Sequence, residues 1–194
     1  IYDRSAYRRF EVVLVDTGTD DPAVLAWYGE MTASTSSFRV IDWPEQPFSY
    51  SRSCNEGARI AGGAVLIMLN NDTEVVTPDW IERLSAAALR PEVGAVGCLL
   101  HFPGGRRVQH AGVGLGIEGI AGNLLSGVYP KLGLTRTQSL LLHTSHQLSA
   151  VTAACLAVRR DAFLSVGGFD EQFAVTFNDV DLCLRLQRLG LMNV

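Results

Sequence analysis

The sequence is poor in charge: only 19% of its 194 residues are charged, no run of like charges occurs, and 16 Lys+Arg against 20 Asp+Glu leave a formal balance of −4. It lacks the basic stripe that neutralises nucleic-acid phosphates, which argues against nucleic acid as a partner. It lacks any apolar stretch of the roughly 18 residues needed to span a bilayer, and the opening Ile1-Tyr2-Asp3-Arg4 holds no signal-peptide core. The chain as given therefore reads as soluble and cytoplasmic. Cysteine is sparse too. Cys54, Cys98, Cys155 and Cys183 form neither a CxxC nor a Cys/His zinc spacing, so reduced core thiols are expected in place of a disulfide framework. No internal repeat and no linker is visible, so one domain over residues 1–194 is expected. The absence of an initial Met and the abrupt stop at Leu191-Met192-Asn193-Val194 suggest a piece truncated at both ends.

What the chain does have is 47% hydrophobic residues, enough for one sizeable core. Glu11 to Asp16 is a β-branched run that ends on turn residues and reads as a buried strand. Asp21 and Pro22 open a helix whose Val24, Leu25, Tyr28 and Met31 share a face. Phe38 to Ile41 is a strand, Ser51 to Ala61 a helix stopped by Gly62-Gly63, and Ala64 to Leu69 a third strand. This alternation predicts an α/β fold with a parallel sheet flanked by helices and a ligand site beyond the strands' carboxyl ends. A helix follows Thr77-Pro78-Asp79, with Trp80 assigned to packing, and Val93 to Leu100 is strand-like. From Phe102 to Gln147 the chain reads as a long irregular excursion. Order resumes with the apolar Val151 to Val158, a short helix near Asp161 to Val166, and an amphipathic helix from Asn178 to Leu189 closed by Gly190.

Two places carry candidate chemistry. In Leu69-Asn70-Asn71-Asp72 an apolar strand runs into oxygen-bearing side chains, and a carboxylate at a strand end suits Mg2+ or Mn2+ bridging to phosphate oxygens; a plain Asx turn fits the same residues. In Asn178-Asp179-Val180-Asp181 two carboxylates sit in the first turn of the last helix. The helix dipole favours an ionised Asp179, as a base accepting a hydroxyl proton requires, while ordinary helix capping explains the same spacing.

These segments, with Glu11–Asp20 (EVVLVDTGTD), Phe48–Asn55 (FSYSRSCN), Gln109–Gly116 (QHAGVGLG) and Val151–Glu171 (VTAACLAVRRDAFLSVGGFDE), resemble in order and spacing the GT-A-fold, family 2 inverting glycosyltransferases. The resemblance implies a Rossmann-like, mixed and mainly parallel sheet, with residues 1–100 as the nucleotide-sugar-binding half and 101–194 as the acceptor-side half. It implies that Asn71 and Asp72 match the DxD motif, with Asp72 as the metal ligand, and that Asp179 is the general base. Asp16 and Thr17 fall where the family contacts the nucleotide base, Arg52 and Asn55 in the segment closing over it, and Asn178 and Asp181 on the acceptor side. The implied partners are a UDP-, dTDP- or GDP-sugar donor and a saccharide or lipid-linked saccharide acceptor, at a cytoplasmic location that leaves membrane association of the parent protein, on the cytoplasmic side, open. Thr17, Ala153 and Asn178 stand where the family more often has an acidic or amide residue, Gly and Glu. The family's central first strand would precede residue 1, so an unfilled edge or slot is expected in the sheet.

Rival readings are weaker. Gly114-Leu115-Gly116-Ile117-Glu118-Gly119 matches the dinucleotide-binding pattern of an NAD-dependent oxidoreductase, yet no Asp or Glu occurs between Gly119 and Arg160 to bind the ribose. Lys131, Arg136, Arg159 and Arg160 in and beside that stretch suit an anionic ligand or are plain solvated charges. His143 and His146 lack a third metal ligand. His110 lies in a resembling segment without an assigned role. Trp43, beside Pro44, is the tryptophan expected to be exposed. A noncatalytic nucleotide- or sugar-binding module of the same fold is the alternative from another class, and it would not need Asp179.

Overall fold

The computed structural model describes residues 1–194 except Glu45, Arg106 and Glu118, so the fifth position of the glycine run 114–119 lies outside the described residues. The first apolar run forms β1 (Val12–Asp16) and the next β2 (Phe38–Asp42), paired in parallel with Val12 opposite Phe38 and Asp16 opposite Asp42. The intervening α1 (Pro22–Ser34) opens as the sequence predicts: Asp21 accepts from the Ala23 N–H at 2.8 Å and Pro22 takes the first helical position. Its apolar face is only partly covered. Val24, Tyr28 and Met31 of the predicted face are half-buried, Leu25 is 45% exposed, and the exposed Trp27 ring meets Phe38 edge-on at 5.7 Å. A two-stranded ladder is too narrow to cover the face that the periodicity marks out.

Ser49 caps α2 (Tyr50–Ile60), accepting from the Arg52 N–H. Next come β3 (Val65–Leu69), α3 (Trp80–Ala88) and β4 (Ala95–Gly97). Asp79 does not cap α3; its carboxylate pairs with Arg83 at 2.7 Å. Trp80 packs with the α3 and β4 core as assigned, and its indole N–H donates to Ser5 at 2.8 Å.

The excursion holds more order than its composition suggests. It contains antiparallel β5 (Leu100–His101) with β6 (Val108–His110), antiparallel β7 (Val113–Leu115) with β8 (Ala121–Asn123), and α4 (Arg136–His143). A reciprocal capping box starts α4: the Gln138 N–H donates to the Thr135 hydroxyl and the Thr135 N–H to the Gln138 side-chain Oε1.

The run 151–158 resolves into an irregular segment, 151–154, and β9 (Cys155–Arg159), followed by α5 (Arg160–Ser165) and α6 (Asn178–Arg188). β9 lies antiparallel between β3 and β4, with Leu156, Ala157 and Val158 fully buried. Parallel pairing among the described strands is thus confined to β1 with β2, and the fold is mixed α/β. An apolar run reports burial on both faces but not direction, which depends on where the excursion returns the chain. All four cysteines are free thiols.

The β1–β2 and β3–β9–β4 sheets share no hydrogen bonds among the described residues, although α2 packs across both. A Cβ on Gly57 would stand 3.2 Å from Val15 of β1, while Ala58 is buried with Leu66 and Met68 of β3. β1 and β3 therefore each keep one edge unpaired among the described residues, beneath the same helix.

Candidate active site

The site forms where β1, β2, β3 and the segment entering β9 end beside the N-termini of α2 and α6. At the end of β1, Asp16 folds its carboxylate onto the next turn, accepting from the Thr19 N–H at 3.1 Å and the Thr19 hydroxyl at 2.5 Å. Gly18, at φ 119°, supplies the left-handed backbone of that turn. Trp43 extends β2, its N–H donating to the Asp16 carbonyl at 2.7 Å. Its side chain joins Arg52, Asn55, Glu56, Arg59 and Glu171 around an open cavity of about 370 Å3. Arg52 and Asn55, both singled out in the sequence, thus line one concavity that Trp43 connects to Asp16.

Asn55 has a second duty. Its Oδ1 accepts from the Phe169 N–H at 2.8 Å, and its Nδ2 donates to the Phe169 carbonyl at 2.9 Å and to Glu171 at 3.3 Å, while Arg52 pairs with Glu171 at 3.2 Å. Gly168 lets this happen: at φ 73°, a Cβ there would stand 2.5 Å from Asn55 Oδ1. Gly168→Ala is expected to cost the left-handed backbone penalty of about 1–2 kcal/mol and displace Asn55 as well. Gly167→Ala, at φ 79° with open space around it, should cost the backbone penalty alone. Urea denaturation of the pair checks the difference.

At the end of β3, Asn70 sends its N–H to the Ala154 carbonyl at 3.0 Å and accepts the Thr73 hydroxyl at 2.7 Å on its own carbonyl. The tight turn leaves Asn71 and Asp72 exposed, and Asp72 makes no hydrogen bond or ion pair among the described residues.

α6 supplies the opposite wall. Phe177 precedes it in a left-handed conformation, φ 64°, an unfavourable backbone for a bulky residue. That turn buries Asn178, whose amide donates to Ser51 and the Val175 carbonyl, each at 3.2 Å, and half-exposes Asp179. Asp179 accepts from the Ala153 N–H at 3.0 Å through Oδ2 and from its neighbour's Val180 N–H at 2.8 Å through Oδ1. No cation pairs with it among the described residues. Asp181 differs: it pairs with Arg185 at 2.7 Å, and Arg185 donates to the Val166 carbonyl at 2.6 Å. Asn178 and Asp181 thereby seat α6, and Asp179 keeps a carboxylate held by backbone N–H groups and without an ion pair among the described residues.

The segment 151–154 joins these pieces. Asn70 holds Ala154 and Asp179 holds Ala153, so the strand end bearing Asp72 and the helix start bearing Asp179 are fastened to successive residues of one loop. Two residues without an assigned role also hold it. The Tyr50 hydroxyl donates to the Ala153 carbonyl at 2.9 Å, and burial, then the neighbouring Cys54 thiol and the Asp179 charge, raise that phenol's pKa and keep it a neutral donor. His110 reaches Thr152 from β6. Tyr50 stands inside FSYSRSCN and His110 inside QHAGVGLG, but nothing in their spacing points at residues 152 and 153.

A family model described as glycosyl transferase family 2 matches residues 2–166. The chain is 42% identical over 97% of its length to the O-antigen biosynthesis protein RfbC of Myxococcus xanthus, covering 14% of that protein. It is 34% identical over 91% of its length to an N-acetylglucosaminyl-diphospho-decaprenol L-rhamnosyltransferase of Mycobacterium tuberculosis, covering 52% of it. The chain thus spans at most about half the length of these curated relatives. Among solved structures, the mannosyltransferase PcManGT from Pyrobaculum calidifontis, in complex with GDP-Man and Mn2+, superposes with a TM-score of 0.69 over 100% of this chain and 48% of its own, at 16% identity, a likeness of fold.

Proposed function

The chain belongs to glycosyl transferase family 2, and from that premise we propose that it carries the active face of an inverting glycosyltransferase, moving a sugar from a nucleoside-diphosphate sugar to a saccharide or lipid-linked saccharide acceptor. The observation that supports this most is Asp179: a half-exposed carboxylate with no cation beside it among the described residues, steadied by two backbone N–H groups and tied through Ala153 and Ala154 to the strand end that bears Asp72. Each Asp179 oxygen keeps lone-pair capacity beyond the one N–H it accepts. In a single displacement, Asp179 takes the proton of the acceptor hydroxyl, that oxygen bonds to the anomeric carbon, and the bond from that carbon to the diphosphate oxygen breaks with its electrons leaving on the nucleoside diphosphate. The displacement from the opposite face inverts the anomeric centre.

On the donor side, Arg52 and Asn55 line the cavity beside Trp43, whose N–H meets the Asp16 carbonyl, and with Asp16 and Thr17 they are assigned the nucleoside, while Asn71 and Asp72 take the diphosphate. Asp72 fits a divalent cation in one particular way. No group of three or more His, Cys, Asp or Glu among the described residues could hold a metal, and one unpaired exposed carboxylate matches the habit of Mg2+ or Mn2+ of taking one or two protein oxygens and completing the shell with phosphates and water. When bound there, the cation would offset the negative charge on the departing diphosphate. GDP-Man and Mn2+ in PcManGT and the lipid-linked acceptor in the rhamnosyltransferase's name support this assignment of partners. We assign the protein to the cytoplasmic side of the membrane, where nucleotide sugars are held; no helix among the described residues is long and apolar enough to cross one.

The test is a thermal-shift panel of UDP-, dTDP- and GDP-sugars and NAD, with and without Mn2+. Stabilisation by one nucleotide sugar, larger with Mn2+, is expected, and Asp72→Ala should lose the Mn2+ increment while keeping its unliganded Tm. Stabilisation by NAD alone would overturn the assignment. Donor binding without any turnover on acceptor would leave the noncatalytic module as the reading.

A further inference from the structure

His110 lies between the family's reading and the fold without a role in either. It is 2% exposed, at the end of β6, and every polar atom of its ring is engaged. Nδ1 stands 2.6 Å from Oδ1 of Asn123 at the end of β8, and since an amide oxygen only accepts, the proton is on Nδ1. Nε2 is then a bare lone pair. Two backbone donors converge on it, the Gly112 N–H at 3.3 Å and the Thr152 N–H at 3.4 Å. The next N–H along the chain, that of Ala153, goes to Asp179. Successive peptide donors of one loop are thus divided between an imidazole and the carboxylate assigned as base.

We infer that His110, held as the Nδ1–H tautomer by Asn123, is a positioning residue: its Nε2 lone pair fixes the Thr152 peptide and thereby aims the Ala153 N–H at Asp179. The steric setting supports this. A Cβ on Gly97 of β4 would stand 2.8 Å from Val151 and 3.5 Å from His110 Nε2, so the strand comes bare against both ring and loop and leaves the loop little room to shift. Only a neutral imidazole serves. A proton on Nε2 would set N–H against two N–H donors in a closed site, which burial also opposes. Burial outweighs the two influences that favour its protonation, the hydrogen bond to Asn123 of β8 and the charge of Asp179 on α6.

The catalytic part of this inference rests on the transferase reading; the tautomer and the loop contact do not. Asn123 is exposed, which makes Asn123→Asp the informative variant, since the fold has little reason to fail. A carboxylate facing Nδ1–H favours the imidazolium, whose Nε2–H repels Thr152 and Gly112. Its kcat is expected to fall about tenfold for each pH unit below the new imidazole pKa and to recover above it, with donor KM steady throughout. His110→Leu should lose about 10²-fold in kcat at every pH, the scale of a displaced catalytic group, and His110→Gln, which returns an acceptor carbonyl, should recover part of that loss. In parallel, 15N NMR of the imidazole and hydrogen exchange of the Thr152 amide are read without substrate. The Nδ1–H tautomer in the parent chain, and faster Thr152 exchange in Asn123→Asp at low pH only, are expected. An Nε2–H tautomer, or a protonated His110 in Asn123→Asp with unchanged exchange and an unchanged pH profile, would overturn the inference. If no nucleotide sugar is turned over by the parent protein, the transferase reading fails by itself, and the NMR and exchange results still decide the His110 contact.

Discussion

Asp179→Asn is expected to reduce kcat by about 10²- to 10⁴-fold, the range typical of a lost general base, while leaving nucleotide-sugar affinity within a few-fold of the parent. The two effects separate if the proposed division holds: the Asp179 carboxylate is bonded to the Ala153 and Val180 N–H groups, while the cavity assigned to the nucleoside is lined by Trp43, Arg52 and Asn55. The variant has a structural cost that has to be measured beside the rate. An amide at this position offers one oxygen and one NH2, and both present partners are N–H donors, so one donor loses its acceptor at a cost of about 1–3 kcal/mol. Calorimetric titration of the donor and a melting curve, taken with initial rates, resolve these contributions. Retention of more than a tenth of the parent kcat would remove Asp179 as the base. Loss of donor binding in step with rate would place it on the donor side.

The sequence was legible where the information is local. The β-branched run before Asp16, the Asp21–Pro22 helix start and the first-turn acids of α6 each depend on a few neighbouring residues, and each is where the spacing puts it. The Thr135-x-x-Gln138 capping box was equally local and marks α4 within a stretch whose glycines suggested only irregular chain. What did not show was set by distant partners. The antiparallel direction of β9, the exposure of α1 and the burial of Asn178 against Ser51 depend on what the fold brings opposite them. The same holds at the site. Asp72 and Asp179 stand out as acids at element ends, whereas Tyr50 and His110 act through backbone groups 103 and 42 residues away, where no side-chain pattern records the contact.

The largest stability effect tied to the site is expected at Phe169. Its ring is 1% exposed and meets Phe163 edge-on at 5.5 Å and Tyr50 edge-on at 6.1 Å, and its backbone is held on both sides by Asn55. Phe169→Ala should cost about 3–5 kcal/mol, the usual range for emptying a buried aromatic position. For a chain of this size that lowers Tm by roughly 6–20 °C. Phe163→Ala empties a neighbouring site equally buried, and a similar loss is expected. The two should part in their rates. Phe169 is the ring against which Tyr50 rests, and the Tyr50 hydroxyl holds the Ala153 carbonyl at 2.9 Å on the peptide whose N–H meets Asp179. With both variants assayed well below their melting temperatures, Phe169→Ala should lose about tenfold or more in kcat, and Phe163→Ala, which has no ring contact with Tyr50 among the described residues, should stay within a few-fold of the parent. Equal rate losses would mean that the core supports the site only through overall stability, with no separate path from Phe169 through Tyr50 to Asp179.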